Sequence, residues 1–302
     1  MRILVTGANG FVGSALCALL LSEGHEIHYL TTSYKKIKNT TNYKGFLWKP
    51  HSNEIDLACL DGVEVVVNLA GHTINCKWTE RNKALIYNSR MDCSNVLFHA
   101  LSENKHTVKH IIHASAIGIY QTSENQVYNE TTLNYGSDFL AHVCTNWEKA
   151  NERFSTIGIT NALVRFGLIL SKDEGVLHEL AKVTALGFGA PLGNGKQWMS
   201  WIHFEDVIQI IKHIITRNLG GIYNIVAPEP VVQTAFLHAL ANQLQTKLWL
   251  PNVPEFIIKL ALGERSSLVL SSQKVLSQKI ENSGYQFKFR TLNVALKDLY
   301  HS

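Results

Sequence analysis

Thr6-Gly7-Ala8-Asn9-Gly10-Phe11-Val12-Gly13 follows the apolar run Ile3-Leu4-Val5 and runs directly into the helical pattern Ala15-Leu16-Cys17-Ala18-Leu19-Leu20. A strand that stops at a glycine turn and restarts at once as a helix directs the N–H groups of the first helical turn outward. An anionic pyrophosphate is the natural ligand there. Gly7 and Gly10 permit the tight turn and close backbone approach, and Gly13 lets the helix lie against the strand. The loop therefore predicts a dinucleotide site built from Gly7, Asn9, Gly10, Phe11, Val12 and Gly13.

Outward from this loop, apolar runs alternate with stretches of helical period through about residue 170, which is the signature of βαβ units. Strands are expected near 2–6, 26–31, 64–69, 109–115 and 161–166, and helices near 11–22, 79–102, 138–155 and 175–186. Right-handed crossovers would place the helices on both faces of a parallel sheet. The expected fold is α/β, a doubly wound parallel sheet of Rossmann type over 1–170 to which later segments return. A smaller lobe over 171–302 carries the Gly-rich turns at Gly187, Gly189, Gly193 and Gly195.

Composition narrows the partners. The chain has 302 residues, a net charge of +4 and 17% charged residues, and its Lys and Arg are scattered, so no basic stripe predicts nucleic-acid binding. Five cysteines, Cys17, Cys59, Cys76, Cys93 and Cys144, form no CxxC pair and predict a reducing cytoplasm. Met1-Arg2-Ile3-Leu4-Val5 enters a strand at once, so no signal peptide is expected, and no apolar run predicts a membrane span. The 14 histidines are dispersed, and His110 and His113 lie three apart on a strand and face opposite ways, so no metal is expected. His203 and Asp206 are expected to pair and anchor the smaller lobe.

The end of the second strand separates the two nicotinamide cofactors, because an acidic residue there would hold the ribose 2′-hydroxyl of NAD. The chain instead has Thr31-Thr32-Ser33, followed by Lys35 and Lys36. Hydroxyls and ammonium groups suit a 2′-phosphate, so NADP is expected ahead of NAD.

The spacing Gly7-x-x-Gly10-x-x-Gly13, with Val67-Asn68-Leu69-Ala70-Gly71, resembles the extended short-chain dehydrogenase/reductases. Trp78-Thr79 with Lys83, Ile86, Ser89 and Arg90, then Trp147-Glu148 and Arg165-Phe166-Gly167-Leu168-Ile169-Leu170, narrow the resemblance to the NAD-dependent epimerase/dehydratase branch. It continues through Gly193-Asn194-Gly195-Lys196-Gln197-Trp198 and Trp201-Ile202-His203-Phe204-Glu205-Asp206. At Gly263-Glu264, Gln273-Lys274-Val275 and Gly284-Tyr285-Gln286-Phe287 it reaches the branch's small C-terminal domain, about 249–298. The resemblance implies a nicotinamide cofactor held also by Leu69, Ala70, Gly71 and Arg165, redox chemistry at a carbonyl carbon, and the homodimer common among related folds.

It also implies a Tyr-x-x-x-Lys pair, which this chain lacks. Hydride delivery to a carbonyl leaves an alkoxide to be protonated, a task for a tyrosine whose pKa a nearby ammonium lowers. Counting back from Glu148, those positions hold Leu140 and Cys144. The string Tyr34 to Lys38 lies far from the expected helix and is read as chance. Ser115 and Tyr120 are the remaining catalytic candidates, although Ser115 stands one residue from the usual hydroxyl position, held by Ala116, and could be turned away. Lys83, on a helix, is read as solvated.

On the substrate side, the Arg that binds diphosphate in nucleotide-sugar relatives is replaced by Met199, which argues for a smaller carbonyl or hydroxyl compound. Trp78, Gln197, Trp198 and Trp201 are the candidate substrate residues. Two functions follow: an NADP-dependent oxidoreductase or epimerase, or a nicotinamide-nucleotide-binding sensor without turnover.

Overall fold

The structure, a computed structural model, describes residues 1–301. Its main sheet contains β1 (Arg2–Thr6), β2 (Glu26–Thr31), β3 (Tyr43–Lys49), β4 (Val65–Asn68), β5 (His110–Ala116), β6 (Thr160–Phe166) and β7 (Gly221–Ile225) in the order β7-β6-β5-β4-β1-β2-β3. The pairs of β1 with β2 and β4, of β2 with β3 and of β4 with β5 are parallel. Short strands Asn39–Thr40 and Glu54–Ile55 pair antiparallel with β3. This is the doubly wound Rossmann-type architecture expected of the alternating pattern, with the strand order reversing beside β1.

Five strands lie where the hydrophobic runs put them; β3 and β7 were not anticipated. Tyr43-Lys44-Gly45-Phe46-Leu47-Trp48-Lys49 mixes lysines with aromatics, and the sheet supplies the partner that makes it a strand. The helices α1 (Phe11–Ser22), α2 (Glu80–Glu103), α3 (Phe139–Glu152) and α4 (Gly175–Ala185) follow the expected segments. The segment from Trp201 becomes a three-residue strand followed by α5 (Phe204–Arg217), and α6 (Gln233–Gln243) and α7 (Glu255–Leu262) come later.

The chain forms two compact units. The first comprises Met1–Ala116, His142–Arg165 and Ile208–Tyr223, and the second Ile117–Ala141, Phe166–Val207 and Asn224–Ser302. In the first, strand alternation sends Leu4, Leu30, Val66 and Ile111 into one core with Val96, Leu97, Ala100 and Leu101 of α2. Ile3, Val5, Ile27 and Tyr29 point to the other face, and α1, which packs on β1 and β2, buries Leu16 and Leu20. The second unit has its own core of Leu177, Trp201, Phe236, Leu240, Phe289, Leu292 and Leu296.

Within the second unit the expected His203–Asp206 pair does not form. The Asp206 carboxylate accepts the Tyr285 hydroxyl at 2.6 Å and the backbone N–H groups of Lys288 and Phe289 at 3.0 Å each. His203 stacks on Phe289 with ring centroids 3.7 Å apart and approaches Asp298 at 3.5 Å. The strand-to-helix turn at Phe204 separates the two side chains, so each ties the C-terminal segment independently. All five cysteines are free thiols, and burial pushes those of Cys17, Cys59 and Cys93 up to about 12. Among the described residues, no helix is long and apolar enough to cross a membrane.

Candidate functional site

The site begins where β1 ends. Gly7 adopts a positive φ of 69°, and a Cβ there would lie 3.0 Å from the Leu69 backbone. Its carbonyl accepts the Gly10 N–H at 2.9 Å, which closes the turn. Gly10 then caps α1, whose N-terminus has no side-chain cap and no acidic residue in its first turn. The positive end of the helix dipole is thus left for an external anion. Gly13 is required by contact: an added Cβ would stand 2.3 Å from the Gly7 carbonyl oxygen.

Thr6 fixes the opposite wall. Its hydroxyl donates to Asn68 Oδ1 at 2.7 Å and accepts the backbone N–H groups of Leu69 and Ala70 at 3.1 Å each. Asn68 continues the chain of hydrogen bonds to His113 Nδ1 at 3.2 Å, so the carboxyl ends of β1, β4 and β5 are tied in register. Burial lowers the His113 pKa to about 3, which keeps the imidazole neutral. Farther along the wall, the Ser89 hydroxyl accepts the His72 N–H at 2.9 Å and Arg90 donates to the His72 carbonyl at 3.1 Å, so α2 holds the segment after Gly71.

Gly7, Asn9, Gly10, Thr31, Thr32, Leu69, Ala70 and Gly71 line one cleft of about 710 Å³, together with Ser33, Lys36, His51 and Asp92. Phe11, Val12 and Gly13 head α1 beside it. No carboxylate stands at the end of β2, where Thr31 Oγ1 accepts the Ser33 N–H at 3.2 Å. The turn carrying Lys36 is held from inside the sheet, because the buried Tyr29 hydroxyl donates to the Lys36 carbonyl at 2.8 Å and accepts the Lys38 N–H at 2.6 Å. Tyr34, 78% exposed on that turn, has no part in an acid/base pair with Lys38. A second cavity of about 580 Å³ shares Trp48 but carries Glu54, Asp56 and Glu103, a poor lining for phosphate.

The other sequence candidates have different duties. Ser115, buried, donates to Glu148 Oε1 at 2.5 Å, and Arg165, fully buried, holds the same carboxylate through Nε at 2.8 Å and Nη2 at 2.7 Å. The step from Ala116 to Ser115 turns the hydroxyl inward, onto the carboxylate that Arg165 also holds. Tyr120, 1% exposed, lies with its hydroxyl 2.9 Å from Asn224 Oδ1 and 3.0 Å from the Asn129 carbonyl, and its ring stacks on Tyr128. Leu140 and Cys144 lie one turn apart on α3, and Cys144 is buried.

The substrate candidates are engaged locally. Trp78 donates to the Ile74 carbonyl in the first unit. In the second unit, Gln197 donates to the carbonyls of Leu192 and Val269, and Trp198 donates to that of Glu124 with Lys274 over its ring. Trp201, fully buried, donates to the Glu229 carbonyl and belongs to the core. Sequence reading missed Thr6, Tyr29, His51 and Asp92. Thr6 had a signal, a hydroxyl residue at the last position of the first strand; the pairing of β2 with β3 brings His51 to the cleft, Asp92 reaches it from α2, and Tyr29 holds the Lys36 turn from inside the sheet.

Comparison with known proteins agrees with this geometry. The model of the NAD dependent epimerase/dehydratase family matches residues 3–226, and that of a domain of unknown function (DUF1731) matches 253–299. Epimerase family protein YfhF of Bacillus subtilis is 34% identical, covering 99% of this chain and 98% of its own. The chloroplastic SDR39U1 homolog of Arabidopsis thaliana is 35% identical, over 98% and 86%. Among solved structures, human epimerase family protein SDR39U1 with NADPH superposes with a TM-score of 0.85 at 27% identity, over 99% of both chains. UDP-glucuronic acid 4-epimerase from Bacillus cereus with UDP-glucuronic acid and NAD shares the fold at 17% identity and a TM-score of 0.78, over 99% and 98%. With its glycine loop, its cleft at the carboxyl edge of β1 and β2 and these matches along its length, the chain belongs to the NAD-dependent epimerase/dehydratase family and has that family's NAD(P)-binding fold.

Proposed function

We propose that the protein binds NADP(H) in the cleft beside Gly7–Gly13, and that this nucleotide, not Tyr-Lys proton chemistry, is what the site is built for. The observation that carries this reading is the end of β2. Thr31, Thr32, Ser33 and Lys36 line the cleft there, and no carboxylate stands at the strand end to bind a ribose 2′-hydroxyl. The start of α1 would take the pyrophosphate, with Asn9 and Gly10 close to it, and the Leu69–Gly71 backbone would wall the nicotinamide half. The solved SDR39U1 neighbour with NADPH supports the same preference.

When bound, the cofactor supplies or accepts a hydride. On the oxidoreductase or epimerase reading, the substrate is a small carbonyl or hydroxyl compound, and family membership supports it. That chemistry needs a proton carrier other than Ser115, which is committed to Glu148, and Tyr120, which is buried against Asn224. The same commitments support the second reading, a nucleotide-binding sensor without turnover. A homodimer in a reducing cytoplasm is proposed on the same footing, from the family and the unpaired cysteines.

Fluorescence titration with NADPH and NADH tests the first step, and a screen of carbonyl compounds with the loaded protein tests the second. Tighter binding of NADPH is expected. A preference for NADH would overturn the cofactor assignment. Turnover that survives in Ser115→Ala and Tyr120→Phe would identify an enzyme with another proton source, and absence of turnover across the screen favours the sensor.

A further inference from the structure

We propose that His51 supplies a second cation to the 2′-phosphate end of the cleft, so that preference for NADP over NAD strengthens as the imidazole protonates. The inference rests on the cofactor reading above and adds to it a residue 15 positions beyond Lys36 in sequence.

Sheet register carries the argument. β2 and β3 are parallel neighbours with Thr31 opposite Leu47, so their carboxyl ends leave the sheet side by side. β2 continues into Thr32, Ser33 and Lys36, while β3 continues two residues to Lys49 and then enters a single turn, Pro50–Ser52. Proline starts that turn and Asn53, in the left-handed region at φ 54°, ends it. The His51 ring and Lys36 therefore line one cleft from adjacent strands, and both residues are exposed.

The charges around His51 leave it open to an anion. Lys49 on β3 is paired with Glu54 on the following short strand at 2.8 Å, and His99 on α2 is bonded to Asn53 at 3.2 Å. Among the residues lining the cleft, the acid is Asp92 on α2. Burial raises the Asp92 carboxyl above the ordinary carboxylate range, while His51 acts on it in the opposite direction. The two side chains attract one another, and a bound phosphate would place a second anion beside the ring.

A phosphate monoester itself loses its second proton at about pH 6, so the variant and not the pH profile alone is decisive. NADP⁺ and NAD⁺ affinities are to be measured by calorimetry at pH 6 and pH 8 in the full chain, His51→Gln, His51→Arg and Asp92→Asn. The NADP⁺/NAD⁺ affinity ratio of the full chain at pH 6 is expected to exceed that of His51→Gln by roughly tenfold, the scale of one charged hydrogen bond. At pH 8 the two should converge. His51→Arg should hold the high ratio at both pH values, and Asp92→Asn should reduce the gain seen at pH 6.

His51 is exposed, so melting temperatures of the His51 variants should match the parent. A His51→Gln protein that keeps the parental ratio and pH response overturns the inference while leaving the cofactor reading intact. Failure of both dinucleotides to bind the parent at millimolar concentration overturns the two together.

Discussion

Replacing Glu148 with Gln should destabilise the protein strongly while teaching little about catalysis. Arg165 is fully buried and Glu148 nearly so, and two guanidinium bonds of 2.8 and 2.7 Å join them while Ser115 donates at 2.5 Å. Glutamine keeps the volume but leaves a buried positive charge without its counter-ion, a loss of about 3–5 kcal/mol. For a domain of ordinary size each kcal/mol shifts Tm by roughly 2–4 °C, so a drop of about 6–20 °C is expected by differential scanning fluorimetry. The double variant Glu148→Leu/Arg165→Met removes both charges and should recover most of the loss, because apolar residues of similar volume replace such pairs at little cost. Ser115→Ala removes one charged hydrogen bond, about 1.5–3 kcal/mol, and should leave NADPH affinity unchanged. A Glu148→Gln protein melting within about 2 °C of the parent would refute the buried-charge argument. A Ser115→Ala protein with unchanged Tm but altered turnover would return Ser115 to the chemistry.

Gly13→Ala should cost about 1–3 kcal/mol and weaken NADPH binding, since its Cβ meets the Gly7 carbonyl oxygen at 2.3 Å and only movement of α1 relieves it; unchanged affinity would count against the loop as the phosphate site. Tyr29→Phe should lower the NADPH/NADH affinity ratio by freeing the Lys36 turn, whose carbonyl and neighbouring N–H lose their shared hydroxyl; a ratio equal to the parent's would detach Lys36 from the phosphate. His113 titrates at about 3 when folded, against about 6.5 unfolded, so below pH 6.5 the unfolded state takes up the proton that the fold refuses. Stability should therefore fall by up to about 1.4 kcal/mol per pH unit from pH 6.5 downward, most of it absent in His113→Gln, as denaturant midpoints at pH 5 and 6.5 would show. Burial shifts His28, His110 and His203 in the same direction, so a smaller slope should persist in the variant; an undiminished one would exclude His113 as its source.

The glycine loop, five strands, the Rossmann-type class and the family were legible in the residues because each is local. Period-two and period-3.6 patterns, a turn that only glycine can make and short motifs all act within a few positions. The absence of a carboxylate after β2 was equally local, as was the replacement of Tyr and Lys by Leu140 and Cys144. The duties of Ser115 and Arg165 were not legible, since one carboxylate on α3 claims both across 33 and 17 residues. Nor was Trp201, whose aromatic character suits a ligand platform and a core equally; burial decides between them.

By itself, then, the sequence determined that a strand ends at Thr6, that a helix starts past Gly10 and that a glycine turn joins them. Tertiary structure alone decided what surrounds that turn. Parallel pairing of β2 with β3 brings the turn at His51 to the end that Lys36 occupies, and the Tyr29 hydroxyl fixes the Lys36 turn from beneath. Strand order and register are settled by which apolar faces can be buried together, a property of the whole sheet that no single stretch of chain contains.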